Sequence, residues 1–339
     1  MPQAPALLRN LAADVADVDS ALAAEMLLST MLGVVYGMVD TDRAEAVAEF
    51  ADGLTQFAAA EGATPLLATL GALVPGSPPI DADGPPWVAS LGKVRCTGAY
   101  AYGDIYGDQV SYLAMFRYDD EELGGPEHAV VTLVDHNLGF VKDIFVGVPA
   151  EKVLTSVRDI SATDPEIWFD TIEPAALREA VTSQLRHTDE LTDLPESESL
   201  GADRAFALAR LATLSVPAGD AVTEPPSLSA KERSALLKAF RATAPAKALP
   251  LDRAVVTSCL DLIVDWAGNH RDGEPLRWSP IAVELFLGDW VPRQTSLDAE
   301  TVAALPAVLD AWVRWAGRRR KLPAAAVAAT CAAIADAAG

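Results

Sequence analysis

The stretch TLVDHNLGFVKDIFV, residues 132–146, sets a short polar segment between two apolar runs. The runs, Val131–Val134 and Val141–Val146, are rich in β-branched residues, which favour pleated strands. The segment between them contains Asp and Asn, which tolerate turn geometry, and Gly139, which can adopt a positive φ. The stretch therefore predicts a β-hairpin whose tip lies at Asp135–Gly139.

The same texture extends upstream and predicts an antiparallel sheet over residues 93–147. Five of the six tyrosines lie in this region, among valine, isoleucine and phenylalanine residues. The predicted strands are Lys93–Tyr102, Gln109–Tyr118, His128–Asp135 and Phe140–Val146. Because residues 129–134 are apolar except at Thr132, we expect the third strand to be central and covered on both faces, with the preceding helices as cover.

The sequence on either side of the sheet predicts helices. Residues 1–73 are rich in alanine and leucine, and a proline-rich loop at 75–86 separates them from the sheet. Helices are expected again over 150–186, where Thr163 and Glu166 have the spacing of a capping box and predict the start of a helix. Together these elements form a predicted acidic α+β domain over residues 1–186.

An acidic segment that is poor in large apolar residues, 187–203, is the predicted linker, and residues 204–339 form a predicted helical domain. Ser229 and Glu232 have capping-box spacing and Ser279 precedes Pro280, so both serines are expected to begin helices. The predicted fold class is therefore α+β, with N-terminal helices and an antiparallel sheet followed by a C-terminal all-helical region.

The charge is distributed unevenly over the 339 residues, whose net charge is −22. Residues 1–200 hold 33 acidic and 10 basic residues, a net charge of −23, whereas residues 201–339 hold 15 and 16, a net charge of +1. An acidic surface disfavours phosphate backbones and favours basic partners, although solubility alone also explains it.

Composition also indicates the compartment. The three cysteines are odd in number and far apart, which argues against a disulfide framework. Acidic residues before the first apolar run argue against a signal peptide. The longest apolar run, Met26–Val39, has 14 residues, which is too short to span a bilayer and suits a buried helix. We therefore expect a cytoplasmic protein with no membrane partner.

Asp135, His136 and Asp143 are the candidates for catalysis, with His128 as a further candidate. Carboxylate and imidazole groups can perform acid–base chemistry or bind a metal ion. However, the chain has no H-x-H, H-x-x-x-H or C-x-x-C spacing, so we favour a structural hairpin and expect no metal ion. The chain also lacks a G-x-S-x-G elbow, a complete phosphate-binding loop and a G-x-G-x-x-G fingerprint, so we expect no cofactor.

The sequence WVRWAGRRRKLP, residues 312–323, contains a basic cluster that consists of Arg314, Arg318, Arg319, Arg320 and Lys321. Such a cluster can bind phosphates, and tryptophan can stack on bases. It can equally complement the C terminus of a helix, and Arg314 can pair with Asp310 one turn earlier. Trp278 and Trp290 lie at predicted element ends, where either can line a groove for a partner, although a role in the core is the simpler explanation.

Three segments carry a resemblance: LVDHNLGFVKDIFV at 133–146, WSPIAVELFLGDWVPR at 278–293 and LPAVLDAWVRWAGRRRKLP at 305–323. They resemble segments of uncharacterised proteins of high-GC actinobacteria, and the alanine-rich, lysine-poor composition is similar to theirs. The resemblance covers about a third of the chain. It implies a source and no activity.

Three functional hypotheses follow. We favour a non-enzymatic cytosolic module that binds or regulates another protein, which predicts an exposed apolar patch or groove. An enzyme, for example a metal-assisted hydrolase, would use Asp135 and His136 in a concave polar pocket. A nucleic-acid-associated factor would present the basic cluster at 314–321 on a continuous positive face. The sequence leaves the identity of the partner and the oligomeric state open.

Overall fold

The computed structural model describes residues 4–74, 84–215, 228–270, 273–294 and 296–338. A five-stranded antiparallel sheet lies in the middle of the chain with helices before and after it, which confirms the predicted α+β class. The chain forms two compact units. The first comprises Met1–Gly103, Gln109–Asp135 and Phe140–Asp220, and the second comprises Asp104–Asp108, His136–Gly139 and Ala221–Gly339.

The helices of the first unit are α1 (Ala4–Asp17), α2 (Ala21–Met38), α3 (Arg43–Glu61), α4 (Thr64–Leu73), α5 (Glu121–Gly124), α6 (Ala150–Thr163), α7 (Pro174–Asp189) and α8 (Leu200–Ala212). The strands are β1 (Val94–Asp104), β2 (Gln109–Tyr118), β3 (His128–Asp135), β4 (Phe140–Gly147) and β5 (Ile167–Thr171). The helices of the second unit are α9 (Ala230–Arg241), α10 (Ala244–Lys247), α11 (Arg253–His270), α12 (Pro280–Val283), α13 (Ala299–Arg320) and α14 (Ala324–Ala338). The predicted helices over residues 1–73 are thus confirmed from residue 4 onward. The predicted proline-rich loop at 75–86 lies outside the described residues as far as residue 83, and Pro86 begins a 3₁₀ turn.

The hairpin predicted from residues 132–146 is confirmed. β3 and β4 pair in antiparallel register, with Val131 opposite Phe145 and Val134 opposite Val141. The turn occupies residues 136–139, and Gly139 has a φ of 74° there. Because most side chains strain at positive φ, glycine is the residue that this turn requires.

β3 lies inside the sheet, whose strand order is β4-β3-β2-β1-β5, and both of its faces are covered. On one face Val130 belongs to the main core of the unit, together with residues of the N-terminal helices, α7 and α8. On the other face Val131 packs with Leu113 of β2 and Leu154 of α6. Successive side chains of a strand point to opposite faces, so an uninterrupted apolar run is what two covered faces require.

The sequence patterns do not predict β5, and the predicted capping box at Thr163 is wrong. Thr163 is the last residue of α6, because Asp164 precedes a proline and such a residue disfavours the helical conformation. The chain then places β5 beside β1, where Phe169 stacks on Tyr100 with ring centroids 5.4 Å apart. A five-residue strand without regular alternation is too short to be recognised by its hydrophobic period.

Residues 187–203, which the sequence predicts as a linker, instead lie along the outer edge of β4. The Thr188 hydroxyl accepts a hydrogen bond from the Val141 backbone N–H at 2.8 Å. The Asp203 carboxylate accepts one from the Val146 backbone N–H at 2.9 Å. An edge strand presents unpaired backbone groups that invite association with other chains, and these two side chains satisfy two of them.

Further contacts fix this acidic segment within the first unit. The Arg43 guanidinium donates to the carbonyl oxygens of Leu191 and Thr192, at 2.8 Å for the latter. Leu200 and Phe206, which follow in α8, are buried in the main core. The acidic segment therefore packs within the first unit, whose last range is Phe140–Asp220.

The second unit has a core of its own. Phe240 of α9 packs against Trp312 of α13 with ring centroids 5.1 Å apart, and both side chains are fully buried. The two predicted helix starts are confirmed, because the Ser229 hydroxyl accepts from the Glu232 backbone N–H and the Ser279 hydroxyl accepts from that of Ala282. Each serine satisfies a backbone donor that the first turn of a helix leaves unpaired.

α2 is long and apolar enough to cross a membrane by length and composition alone, with a mean hydropathy of 1.5 over its 18 residues. A core helix passes the same test, and Glu25, Leu28 and Ser29 of α2 are buried in this fold. The helix crosses α8 at close range: a Cβ atom added at Gly33 would lie only 2.3 Å from the carbonyl oxygen of Gly201. Glycine at this crossing lets the two backbones touch.

Candidate functional site

Asp135 and His136, the residues of the enzyme hypothesis, lie at the β3–β4 turn. Gln109 donates from Nε2 to the Asp135 carboxylate at 3.3 Å, and Asp135 is only 7% exposed. The backbone N–H of His136 donates to the Asp108 carbonyl oxygen at 2.8 Å. The His136 carbonyl oxygen accepts from Nη2 of Arg277 at 3.0 Å. These bonds position the backbone of the turn.

Asp143 has different partners from the other two candidates. Its carboxylate accepts hydrogen bonds from the hydroxyl groups of Ser197 and Ser199 at 2.6 and 2.7 Å. Among the residues that the structure describes, no group of three or more His, Cys, Asp or Glu side chains could hold a metal ion. The contacts of the three candidate residues are thus those of a structural turn and a covered strand edge.

The remaining candidate, His128, lies in a buried polar network of the first unit. Glu25, Tyr118, His128 and Arg210 are each at most 1% exposed. Arg210 donates from Nη2 to the Glu25 carboxylate and to the Tyr118 hydroxyl, and from Nε to Nε2 of His128 at 2.9 Å. Glu25 also accepts from the Gly92 backbone N–H at 2.9 Å. The network ties α2, β2, β3 and α8 together.

The environment of this network keeps its imidazole neutral. Burial lowers the pKa of His128 to about 3, and the Arg210 cation acts in the same direction. Burial also raises the pKa of Tyr118 above its ordinary range. Because Nε2 of His128 accepts from Arg210, the ring proton resides on Nδ1, which faces the Pro126 carbonyl oxygen at 3.3 Å. A sealed, internally satisfied set of groups stabilises the fold and has no access to a substrate.

The two candidate tryptophans have unequal positions. Trp278 is 2% exposed, so it belongs to the core and offers no surface to a partner. Its indole N–H and that of Trp312 both donate to the carbonyl oxygen of Pro275, each at 3.0 Å. Trp290 is half-buried and stacks on Phe286 with centroids 5.6 Å apart. Trp278 and Trp312 therefore fix the loop around Pro275 from the inside.

Some cations of the basic cluster form hydrogen bonds or ion pairs, and others form no ion pair with the described residues. Arg314 forms an ion pair with Asp310 at 2.8 Å, and Arg320 donates to the Tyr106 carbonyl oxygen at 3.1 Å. Arg319 lies over the ring of Trp315 at 5.2 Å from its centroid. Within the described part of the chain, Arg318, Arg319 and Lys321 form no ion pair.

The second unit contains an open groove of about 490 Å³ beside α9, which we call the α9 groove. Its apolar lining consists of Leu228, Ala235, Leu236, Ala239, Pro275 and Leu276. On α9 the lining residues follow the i, i+3, i+4, i+7 spacing of one helix face, beginning at Glu232. Leu237 and Phe240 are buried in the core, and Leu228, Leu236, Ala239 and Leu276 are half-buried and pack against that core. Of the lining residues on α9, only Glu232 and Ala235 are exposed.

The charged residues of the α9 groove are Glu232, Glu274, Arg319 and Arg320. Hydrogen bonds from Ser229 lower the pKa of Glu232, which keeps it ionised at the N-terminal end of α9. Phe240 and Arg319 both contact Trp315, so Arg319 lies toward the C-terminal end of α9. The groove therefore carries charges of both signs, and Glu274 interacts electrostatically with Arg320.

The sequence predicts the basic cluster but not the groove beside it. Phe240 is fully buried, whereas Leu236 packs against the core and is half-buried at the groove. The groove lining joins α9 to the 273–276 loop and to the end of α13, which lie far apart in the sequence.

No protein-family model, curated protein or solved structure matches this chain.

Proposed function

We propose that the chain is a non-enzymatic protein-binding module, and that the α9 groove takes an apolar segment of a partner protein. The observation that carries the proposal is the open groove of about 490 Å³ beside α9, where Ala235 is exposed and Leu236 and Ala239 are half-buried. Apolar side chains that remain partly in water gain free energy when a partner covers them.

The shape of the groove favours a protein segment over a small ligand. Pockets for small molecules bury most of the ligand surface. Here Ala235 is exposed, and Leu228, Leu236 and Leu276 are half-buried, which describes a trough that is open along its length. The lining spans two turns of α9, a length of about 10 Å that matches secondary structure of a partner.

The observations favour protein over nucleic acid as the partner. Trp312 is fully buried and Trp315 is 6% exposed, so neither ring is free to stack on a base. Glu232 and Glu274 line the same groove and repel phosphates. The net charge of −22 adds a long-range repulsion of the same sign.

A peptide-display selection tests this function. Random peptides of about 18 residues, long enough for several helical turns, are selected on the immobilised full chain. We expect the wild type to enrich peptides rich in large apolar residues. Ala235→Glu should weaken these peptides at least about tenfold, because a carboxylate would face their apolar side chains without a partner. The matched control is Ser234→Glu, which adds the same charge at the adjacent exposed position outside the lining and should bind like the wild type.

Two results contradict the proposal. One is the absence of any enriched peptide. The other is equal binding to the wild type and to Ala235→Glu. A mobility shift with mixed RNA and DNA addresses the alternative: salt-sensitive binding that disappears in Arg319→Glu would replace the protein partner by a nucleic acid.

A further inference from the structure

We propose that the first unit carries a second protein-binding site, a groove on α2 that takes an apolar segment flanked by lysine or arginine residues. The groove has a volume of about 330 Å³. It lies between α2, residues 194–198 and the first turn of α8, and we call it the α2 groove. Because it belongs to the first unit, this site does not depend on the α9 groove.

Apolar side chains at the α2 groove are left outside the core of the unit. Val34 lines the groove and is 52% exposed, and Met38, one turn further along α2, is 78% exposed. Leu194, in the wall formed by the acidic segment, is half-buried and is not among the described side chains that pack against the main core. Such side chains gain free energy when a partner covers them.

Glycine residues give the groove its depth. Gly33 of α2 lies against Gly201 of α8, so the two backbones meet at the groove. Gly37, one turn after Gly33, is exposed, and a Cβ atom added there would have nothing within 4 Å. A side chain of the partner can therefore occupy the space beside Gly37.

The acidic segment that forms the second wall is fixed to α2 and α8. The Tyr36 hydroxyl donates to the Asp189 carboxylate at 2.9 Å, and Arg204 donates from Nε to the same carboxylate at 2.9 Å. Arg43 donates to two backbone carbonyl groups of the segment. A groove whose walls are already ordered loses little conformational freedom when it binds a partner.

The charge around the groove selects the partner. Residues 30–43 and 189–204, which contain all of its lining residues, hold eight acidic and two basic residues, a net charge of −6. The basic residues, Arg43 and Arg204, are only 3% and 7% exposed. The exposed carboxylates of these segments that form no ion pair with a described residue are Asp40, Asp42, Asp193, Glu196 and Glu198.

This charge favours a cationic segment over the other occupants of an apolar groove. Lysine or arginine residues on either side of the apolar side chains would meet these carboxylates. A second copy of the chain would instead bring its own acidic walls to the same place, and nucleic acids and anionic lipids carry the repelled charge as well. The occupant is therefore a basic and apolar segment of another protein.

The experiment measures the binding of synthetic peptides to the full chain by fluorescence anisotropy. Three peptides share a central run of leucine and carry lysine, glutamine or glutamate on both sides, and a fourth has serine between the lysines. Affinity for the wild type should fall in the order lysine, glutamine, glutamate, by about tenfold between the first and the last. The serine peptide should bind at least about tenfold more weakly than the lysine–leucine peptide, because it buries no apolar surface.

Matched variants place the peptide on the chain. Gly37→Leu fills the groove and should weaken the lysine–leucine peptide at least about tenfold, whereas Gly53→Leu, at an exposed and equally open glycine of α3, should bind like the wild type. Glu198→Lys puts a cation in the lining and should weaken binding about fivefold. Glu166→Lys makes the same charge change beside β5, at the opposite edge of the sheet, and should have no effect. Ala235→Glu, at the α9 groove, should have none either. Circular dichroism verifies that each variant is folded.

Several results would overturn the proposal. One is the absence of binding by the lysine–leucine peptide, and another is an equal affinity for its serine counterpart. Equal losses in Gly37→Leu and Gly53→Leu, or in Glu198→Lys and Glu166→Lys, would show that the peptide does not occupy this groove. A loss in Ala235→Glu alone would place it in the α9 groove.

Two other occupants have signatures of their own. A dimer in light scattering that Gly37→Leu dissociates would assign the α2 groove to a second copy of the chain. Binding to phosphatidylcholine vesicles that Gly37→Leu abolishes would assign it to a membrane surface. Either result would replace the basic peptide segment as the occupant and refute the proposal.

Discussion

The buried histidine of the first unit makes the stability of the protein depend on mild acid in a way that can be calculated. His128 is fully buried beside Arg210, and burial holds its pKa at about 3 instead of the ordinary 6.5. In the unfolded chain the same imidazole is protonated below about pH 6.5. Between these values the unfolded state binds more protons than the folded state, so the free energy of unfolding falls as the pH falls.

The size of the effect follows from the two pKa values. Each pH unit between them changes the free energy of unfolding by about 1.4 kcal/mol. Lowering the pH from about 7 to about 4.5 therefore lowers the free energy of unfolding by about 2 to 3 kcal/mol through this one side chain. The figure changes little if the folded pKa is one unit higher, because about 4.5 would still lie above it.

The perturbation is His128→Gln, in which the amide oxygen can accept from Arg210 but does not titrate. Urea unfolding is measured at both pH values for the wild type, for this variant and for His187→Gln. The wild type should lose about 2 to 3 kcal/mol more of its free energy of unfolding than His128→Gln between the two conditions. His187 is exposed on α7 and lies outside the network, so its variant should behave like the wild type.

A second measurement keeps the prediction testable if His128→Gln is poorly folded. Among the imidazole proton resonances of the four histidines in the wild type, the one belonging to His128 should not shift between about pH 7 and 4.5. A His128 resonance that titrates near pH 6.5 would refute the reasoning. Equal pH dependence of the wild type and a folded His128→Gln would refute it as well.

Two further predictions concern the packing of the first unit. Gly33→Ala should destabilise the protein by about 2 kcal/mol or more, because the added Cβ would overlap the Gly201 carbonyl. Gly37→Ala should instead stabilise it by up to about 1 kcal/mol, because nothing lies within 4 Å of that position and alanine favours the helix. Thermal unfolding of the two variants distinguishes these effects, and equal shifts in Tm would contradict the close crossing. Thr188→Val should lower the free energy of unfolding by about 1–3 kcal/mol and increase hydrogen exchange at the Val141 amide, because that buried donor loses its acceptor. Unchanged exchange at Val141 would mean that the strand edge does not depend on this hydroxyl.

The local elements of the fold were predictable because their causes are local. Apolar runs rich in β-branched residues and the turn chemistry between them predict β3, β4 and the turn at Gly139. Side-chain caps one turn long predict the helix starts at Ser229 and Ser279. Such patterns act over the range of one element, so a single sequence displays them completely. The cytoplasmic location and the actinobacterial source have no such structural counterpart and stay predictions.

The sequence by itself determined the α+β class, the central strands and the basic character of the end of α13. Only the tertiary structure decided what the acidic segment at 187–203 contacts, that His128 is neutral, and that a groove lies beside α9. Each of these depends on residues far apart in the chain, such as Arg210 and Glu25, which are separated by 185 positions. Burial and hydrogen bonding between distant elements set the environment of a side chain, and no local pattern records that environment.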